Sequence, residues 1–193
     1  MNVSKKYILI FMILITVMIS GCRANAPVYH INPDVDFSFF KDVAVLPLDN
    51  LTNNKASGEI VKQVVISELL ASGLLDVVIP GEVMSAINEL GIQNISLLSK
   101  SQIKALGKAL NVEAVIMGSV DQYGEIRLGG MSAPEVTITL IMAEIESGNI
   151  VWSITLTRGG LDFMARHFGA KSETMSEVVQ GVVREAIQTL VAY

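Results

Sequence analysis

The side chains able to do chemistry are few: one cysteine, two histidines and 19 carboxylates spread over 193 residues. Asp49 and Asp121 each fall near the end of an expected strand, where a carboxylate pair could carry acid/base work. Such residues more often cap turns or face water, and that plainer reading is preferred. His30 lies in a region without periodic pattern and reads as solvated; His167 lies in a loop where it could touch a partner. No glycine-rich phosphate loop with its lysine is present, nor a G-x-S-x-G elbow, an H-E-x-x-H pair or a cysteine set for metal. The expectation is a chain that is not an enzyme, with no catalytic residues, no metal and no cofactor. Cys22, the lone cysteine, rules out an intramolecular disulfide, so the fold must rest on its hydrophobic core.

The setting of Cys22 gives it a different chemistry. Lys5 and Lys6 form a short basic start, and residues 7–19 are an apolar run interrupted only by Thr16. This is the pattern of a secretory signal, and about 13 residues fall short of the roughly 20 needed to span a hydrocarbon core. Ile19-Ser20-Gly21-Cys22 then resembles the lipobox of bacterial lipoproteins: a branched apolar residue, two small residues, and a thiol that accepts diacylglycerol. The resemblance implies cleavage after Gly21 and lipid attachment at Cys22. Several acyl chains make the anchor durable, where one alone would bind only marginally. Arg23, in place of the aspartate that retains lipoproteins at the inner membrane, implies the periplasmic face of the outer membrane.

Removing residues 1–21 leaves 172 residues with a formal charge of −7, since the leader carries two of the 14 basic residues and no acidic one. An acidic domain without a basic run predicts no nucleic-acid partner and little attraction to anionic lipid. Residues 22–41 read as the lipidated cysteine and a tether, because Pro27, Asn32-Pro33-Asp34 and Asp36 break any helix. Its 19 residues after the cysteine would reach about 60 Å fully extended. Phe37, Phe39 and Phe40 should pack on the domain and limit that reach.

Residues 42–193 read as one domain. The stretch 42–50 carries apolar residues on both alternating faces and predicts a strand buried on both sides. Residues 58–72 place Ile60, Val61, Val64, Val65, Leu69 and Leu70 at helical spacing before Gly73, a C-terminal stop. A short strand at 75–79 precedes a second helix opened by Pro80, where a missing N–H costs least, and running to about Leu90. Ser99 or Ser101 caps a third helix. Residues 113–123 form a buried strand in which Gly118 predicts a bulge or a close backbone approach. Residues 136–145 and 150–157 alternate strictly and predict a hairpin with one apolar and one threonine-rich face. An amphipathic helix over 176–191 closes the chain. The predicted fold is α/β: a mixed β-sheet flanked by helices, with a C-terminal β-hairpin and a final amphipathic helix.

Three segments in this order resemble successive signatures of one superfamily: Val43-Ala44-Val45-Leu46-Pro47-Leu48-Asp49-Asn50; Leu106-Gly107-Lys108 followed by residues 111–120; and residues 145–152 ending at Trp152. That superfamily includes the curli-secretion lipoprotein CsgG, the penicillin-binding-protein activator LpoB and the N-terminal domain of TolB. Its motifs are strands and turns, so the resemblance speaks to fold more than to task. CsgG-type pores need two long membrane-spanning hairpins; residues 124–134 and 158–172 are here too short and too polar for them.

One segment carries the composition of an interface. Residues 159–169, between the hairpin and the last helix, hold Phe163, Met164 and Phe168 beside Arg166 and His167. Folded back, the same aromatics would cap the core; offered outward, they would bind a partner. The Gly129-Gly130-Met131 turn is a second, weaker candidate. The reading is an accessory lipoprotein, anchored in the membrane through Cys22, whose domain binds an envelope protein and assists or activates peptidoglycan synthesis or export. The alternative is a homo-oligomeric subunit of a secretion assembly.

Overall fold

The computed structural model describes residues 27–128, 131–160 and 173–191. Within them one seven-stranded sheet runs in the order β1-β7-β6-β5-β2-β4, with β3 paired to β5 outside that path. The strands are β1 (Tyr29–Ile31), β2 (Asp42–Val45), β3 (Asp49–Asn50), β4 (Asp76–Val77), β5 (Ala114–Leu128), β6 (Met131–Glu144) and β7 (Ile150–Gly159). The described helices are α1 (Ser57–Ser72), α2 (Pro80–Glu89), α3 (Lys100–Leu110) and α4 (Met175–Val191). β2 is parallel to β4 and β5, and β3 to β5, while β5, β6, β7 and β1 follow antiparallel. The mixed, helix-flanked α/β sheet expected from the pattern is present, with its hairpin and final helix.

Helices cover the sheet unequally. On the first face, α1 and α4 bury Val43, Val45, Ile116, Ile138, Leu140 and Met142 under Val61, Val65, Leu69, Val179, Val183 and Ile187. Trp152 is fully buried there, and its indole N–H donates to the Thr189 hydroxyl on α4 at 3.1 Å. On the second face, α2 and α3 cover only the end built by Ala44, Leu46, Val115 and Ala143. Beyond that end lies the threonine-rich face: Thr137 bonds Thr157 at 2.9 Å and Thr139 bonds Thr155 at 3.0 Å across β6 and β7.

Local chemistry sets most boundaries where the pattern placed them. Gly73 ends α1 in the left-handed conformation, φ 68°, which glycine adopts without a Cβ clash. Pro80 opens α2. Ser99 caps α3, and with Gln102 it closes a reciprocal capping box. Gly118 is a close approach, since a Cβ there would stand 1.9 Å from the Thr139 carbonyl oxygen; the register shift itself falls between Val120 and Gln122.

Four expectations are corrected. The strand over 42–50 is two strands, because Pro47 lacks the N–H that would continue the ladder; β2 stops at Val45 and β3 resumes opposite Ser119 and Val120. The strands expected over 113–123 and 136–145 run on through the outer part of the β5–β6 hairpin, with Glu125, Ile126, Arg127 and Leu128 paired to Pro134, Ala133, Ser132 and Met131. Pro134 is tolerated because it lies one position past the last ladder pair of β6 with β7. Residues 29–31 are not tether but an edge strand on β7, with His30 opposite Ser153; three residues are too few to show a period. Of the three phenylalanines, Phe40 is buried and meets Phe37 at a ring separation of 5.6 Å, whereas Phe39 is 75% exposed. Among the described residues, no helix is long and apolar enough to cross a membrane.

Candidate partner-binding site

Cys22 and the aromatic segment residues Phe163, Met164, Arg166, His167 and Phe168 lie outside the described residues, as do Gly129 and Gly130. The two stems of the aromatic segment are described. On the strand side, Gly159 and Gly160 have φ of 94° and 79°, values that a side chain disfavours. A Cβ at Gly159 would stand 2.1 Å from the Pro134 carbonyl oxygen, and the Gly160 N–H donates to that same oxygen at 2.8 Å. The chain therefore turns away from β7 at two glycines pinned to β6.

On the helix side, Thr174 and Glu177 form a capping box. The Glu177 carboxylate accepts the Thr174 N–H at 2.7 Å and its hydroxyl at 2.8 Å, while the Thr174 hydroxyl accepts the Glu177 N–H at 3.3 Å. Arg158 joins the stems: its guanidinium meets the Glu173 carboxylate at 2.7 Å and Glu185 on α4 at 3.9 Å. The hydrogen bond to Glu173 is the main reason its pKa lies above the ordinary arginine value. Sequence reasoning missed this clamp. The available signal was Gly181 within an otherwise strong helix pattern, one turn before Glu185.

The two carboxylates weighed for catalysis have structural settings. Asp121 accepts the Ser119 hydroxyl of its own strand at 2.6 Å and the Thr139 hydroxyl at 2.7 Å, and the second bond ties β5 to β6 at the register shift. Asp49 borders a crevice of about 160 Å³ with Ser96, Ser119 and Thr139, where the chain leaves β2 beside β5 and β6. Next to it, Asn50 organises the turn into α1, its side-chain oxygen accepting the Thr52 N–H and the Thr52 and Ser57 hydroxyls. Among the described residues no group of three or more His, Cys, Asp or Glu is placed to hold a metal ion.

Solved structures share this architecture. The PelC dodecamer from Paraburkholderia phytofirmans superposes with a TM-score of 0.57 at 20% identity, over 84% of this chain and 96% of that one. The lipoprotein GNA1162 from Neisseria meningitidis gives 0.55 at 14% identity over 79% and 99%. The hypothetical protein CT253 from Chlamydia trachomatis gives 0.55 at 14% identity over 80% and 97%. These similarities establish the fold. Among curated proteins no significant match is found. The family model described as peptidoglycan-synthase activator LpoB matches residues 26–155, from just before β1 into β7 and about two thirds of the chain. The chain therefore belongs to the peptidoglycan-synthase activator LpoB family.

Proposed function

We propose that this chain is an outer-membrane lipoprotein, anchored through Cys22 and facing the periplasm, that binds a peptidoglycan synthase and activates it. Family membership over residues 26–155 carries the reading. The mechanism is tethered recognition: the anchor confines the domain near one membrane and raises its effective concentration for a partner within reach. The aromatic segment, set between the Gly159-Gly160 stem and the Arg158–Glu173 clamp, supplies the contact through Phe163, Met164, Arg166, His167 and Phe168.

On this reading the start of the domain lies close to its anchor. Tyr29 is already paired to Ile154 in the sheet. Seven residue steps separate it from Cys22, a span of at most about 25 Å. The short span supports a synthase that meets the domain on the outer-membrane side of the periplasm.

Cross-linking in intact cells tests the reading. The native protein should capture a peptidoglycan synthase, and a variant carrying Phe163→Ala and Phe168→Ala should lose it while staying folded. PelC, which has the same fold, is a dodecamer. A dominant cross-link of this chain to itself would favour the second reading, a ring of copies in an export assembly.

A further inference from the structure

A second surface on the domain has the properties of a recognition groove. It is a cleft of about 540 Å³ between the segment leading into Phe40, the loop after α3 and the β6–β7 turn. Its floor is apolar, built by Val35, Phe40, Val112 and Ile145, and Phe39 stands at its edge 75% exposed. Its rim carries Asp34, Asp36, Glu113, Glu144 and Glu146.

None of the five carboxylates belongs to any of the ion pairs among the described residues. Three are held in place by hydrogen bonds: Glu113 accepts the N–H groups of Lys41 and Asp42, Glu144 accepts the Ser147 hydroxyl, and Asp36 accepts the Ser38 N–H. Asp34 and Glu146 have no side-chain bond among the described residues and are exposed. Lys100, which packs against the same turn, already gives its ammonium to the Asn149 side chain at 2.7 Å. A concave rim of one sign focuses its field on whatever enters. No three of these acids converge on a point that could hold one metal ion, so the charge suits a ligand whose cations are spread along its length.

We propose that this groove receives an extended basic segment of the protein partner, its Lys and Arg heads on the carboxylate rim and their stems on the apolar floor. Phe39 offers a ring face to one of those cations, and long basic side chains cover apolar surface with their methylenes. That the segment belongs to a peptidoglycan synthase rests on the function proposed above; that the groove is cationic in its preference does not.

The test uses the full-length lipidated protein in detergent and a fluorescein-labelled peptide alternating Leu with Lys and Arg. Its affinity should fall about tenfold or more in a variant carrying Asp34→Asn, Phe39→Ala and Glu146→Gln, and should fall with added salt. All three side chains are exposed, so the variant should keep its melting temperature. Equal affinity for both proteins would overturn the groove. In a parallel cross-linking assay, synthase capture should weaken in the same variant. Undiminished capture alongside lost peptide binding would overturn the assignment of the groove to that partner. Peptide binding that depends on the three residues, with no synthase captured even by the native protein, would sustain the groove and refute the function.

Discussion

Arg158 on β7 lies against Gly181 in the middle of α4, so closely that a Cβ at position 181 would stand 2.2 Å from the Arg158 Nε and 2.6 Å from its Cδ. Glycine is the poorer helix former by about 1 kcal/mol relative to alanine, yet here it opens the space in which Arg158 crosses the helix to reach Glu173 and Glu185. Gly181→Ala should therefore lower stability by about 1–3 kcal/mol, the usual cost of overpacking, despite its better propensity. Urea unfolding of the two proteins checks the sign; a stabilised variant would show that Arg158 moves aside freely.

Trp152 is fully buried and has one described hydrogen-bond partner for its indole N–H, the Thr189 hydroxyl. Thr189→Val keeps the shape and removes the acceptor. It should cost about 1–3 kcal/mol, the penalty for an unsatisfied buried donor, seen as a lower urea midpoint at unchanged slope.

Lys62 on α1 is 7% exposed and its ammonium meets the Glu59 carboxylate at 2.7 Å. The hydrogen bond from Lys62 holds the Glu59 pKa below its ordinary value. A carboxyl depressed by folding adds stability at pH above its unfolded value, and that stability is lost as pH falls through the folded one. Glu59→Gln should cost about 1 kcal/mol or less near neutrality, because the carboxylate faces water. The difference between the two proteins should close as pH drops below the usual carboxylate range, which melting curves across acid pH will read.

Cys22→Ala should abolish incorporation of labelled palmitate, and Arg23→Asp should shift the protein from outer to inner membrane. Metabolic labelling and sucrose-gradient fractionation measure the two. Palmitate uptake that is absent in the native protein, or equal in the Cys22→Ala variant, would contradict the lipid anchor.

The legible part of the fold was whatever a local period or a local cap dictates. Val43, Ala44 and Val45 announced a doubly buried strand, Gly73 and Pro80 punctuated helices, and the alternation of Val136 to Met142 with Ile150 to Leu156 announced the hairpin and its threonine face. What was illegible depends on distant partners. Tyr29 to Ile31 become a strand only because β7 offers an edge, and Arg184 grips Glu68 on α1 across 116 residues of chain with two hydrogen bonds of 2.9 and 3.1 Å. Pro134 concealed the outer half of the β5–β6 hairpin, since proline argues against a strand until one knows that the neighbouring strand has ended. For the candidate site the composition of 159–169 was readable, but the arginine clamp between Arg158 and Glu173 was not. The acidic groove went unseen because its carboxylates come from three segments far apart in sequence.

Activation of a peptidoglycan synthase is measured directly by reconstitution. The lipidated full-length protein is added to a purified synthase from the same cells, in detergent, while glycan-chain polymerisation is followed by fluorescence. The rate should rise with the lipoprotein to saturation, and the rise should be lost with Phe163→Ala and Phe168→Ala. A rate that stays flat at saturating lipoprotein, with every synthase of that cell, would contradict it.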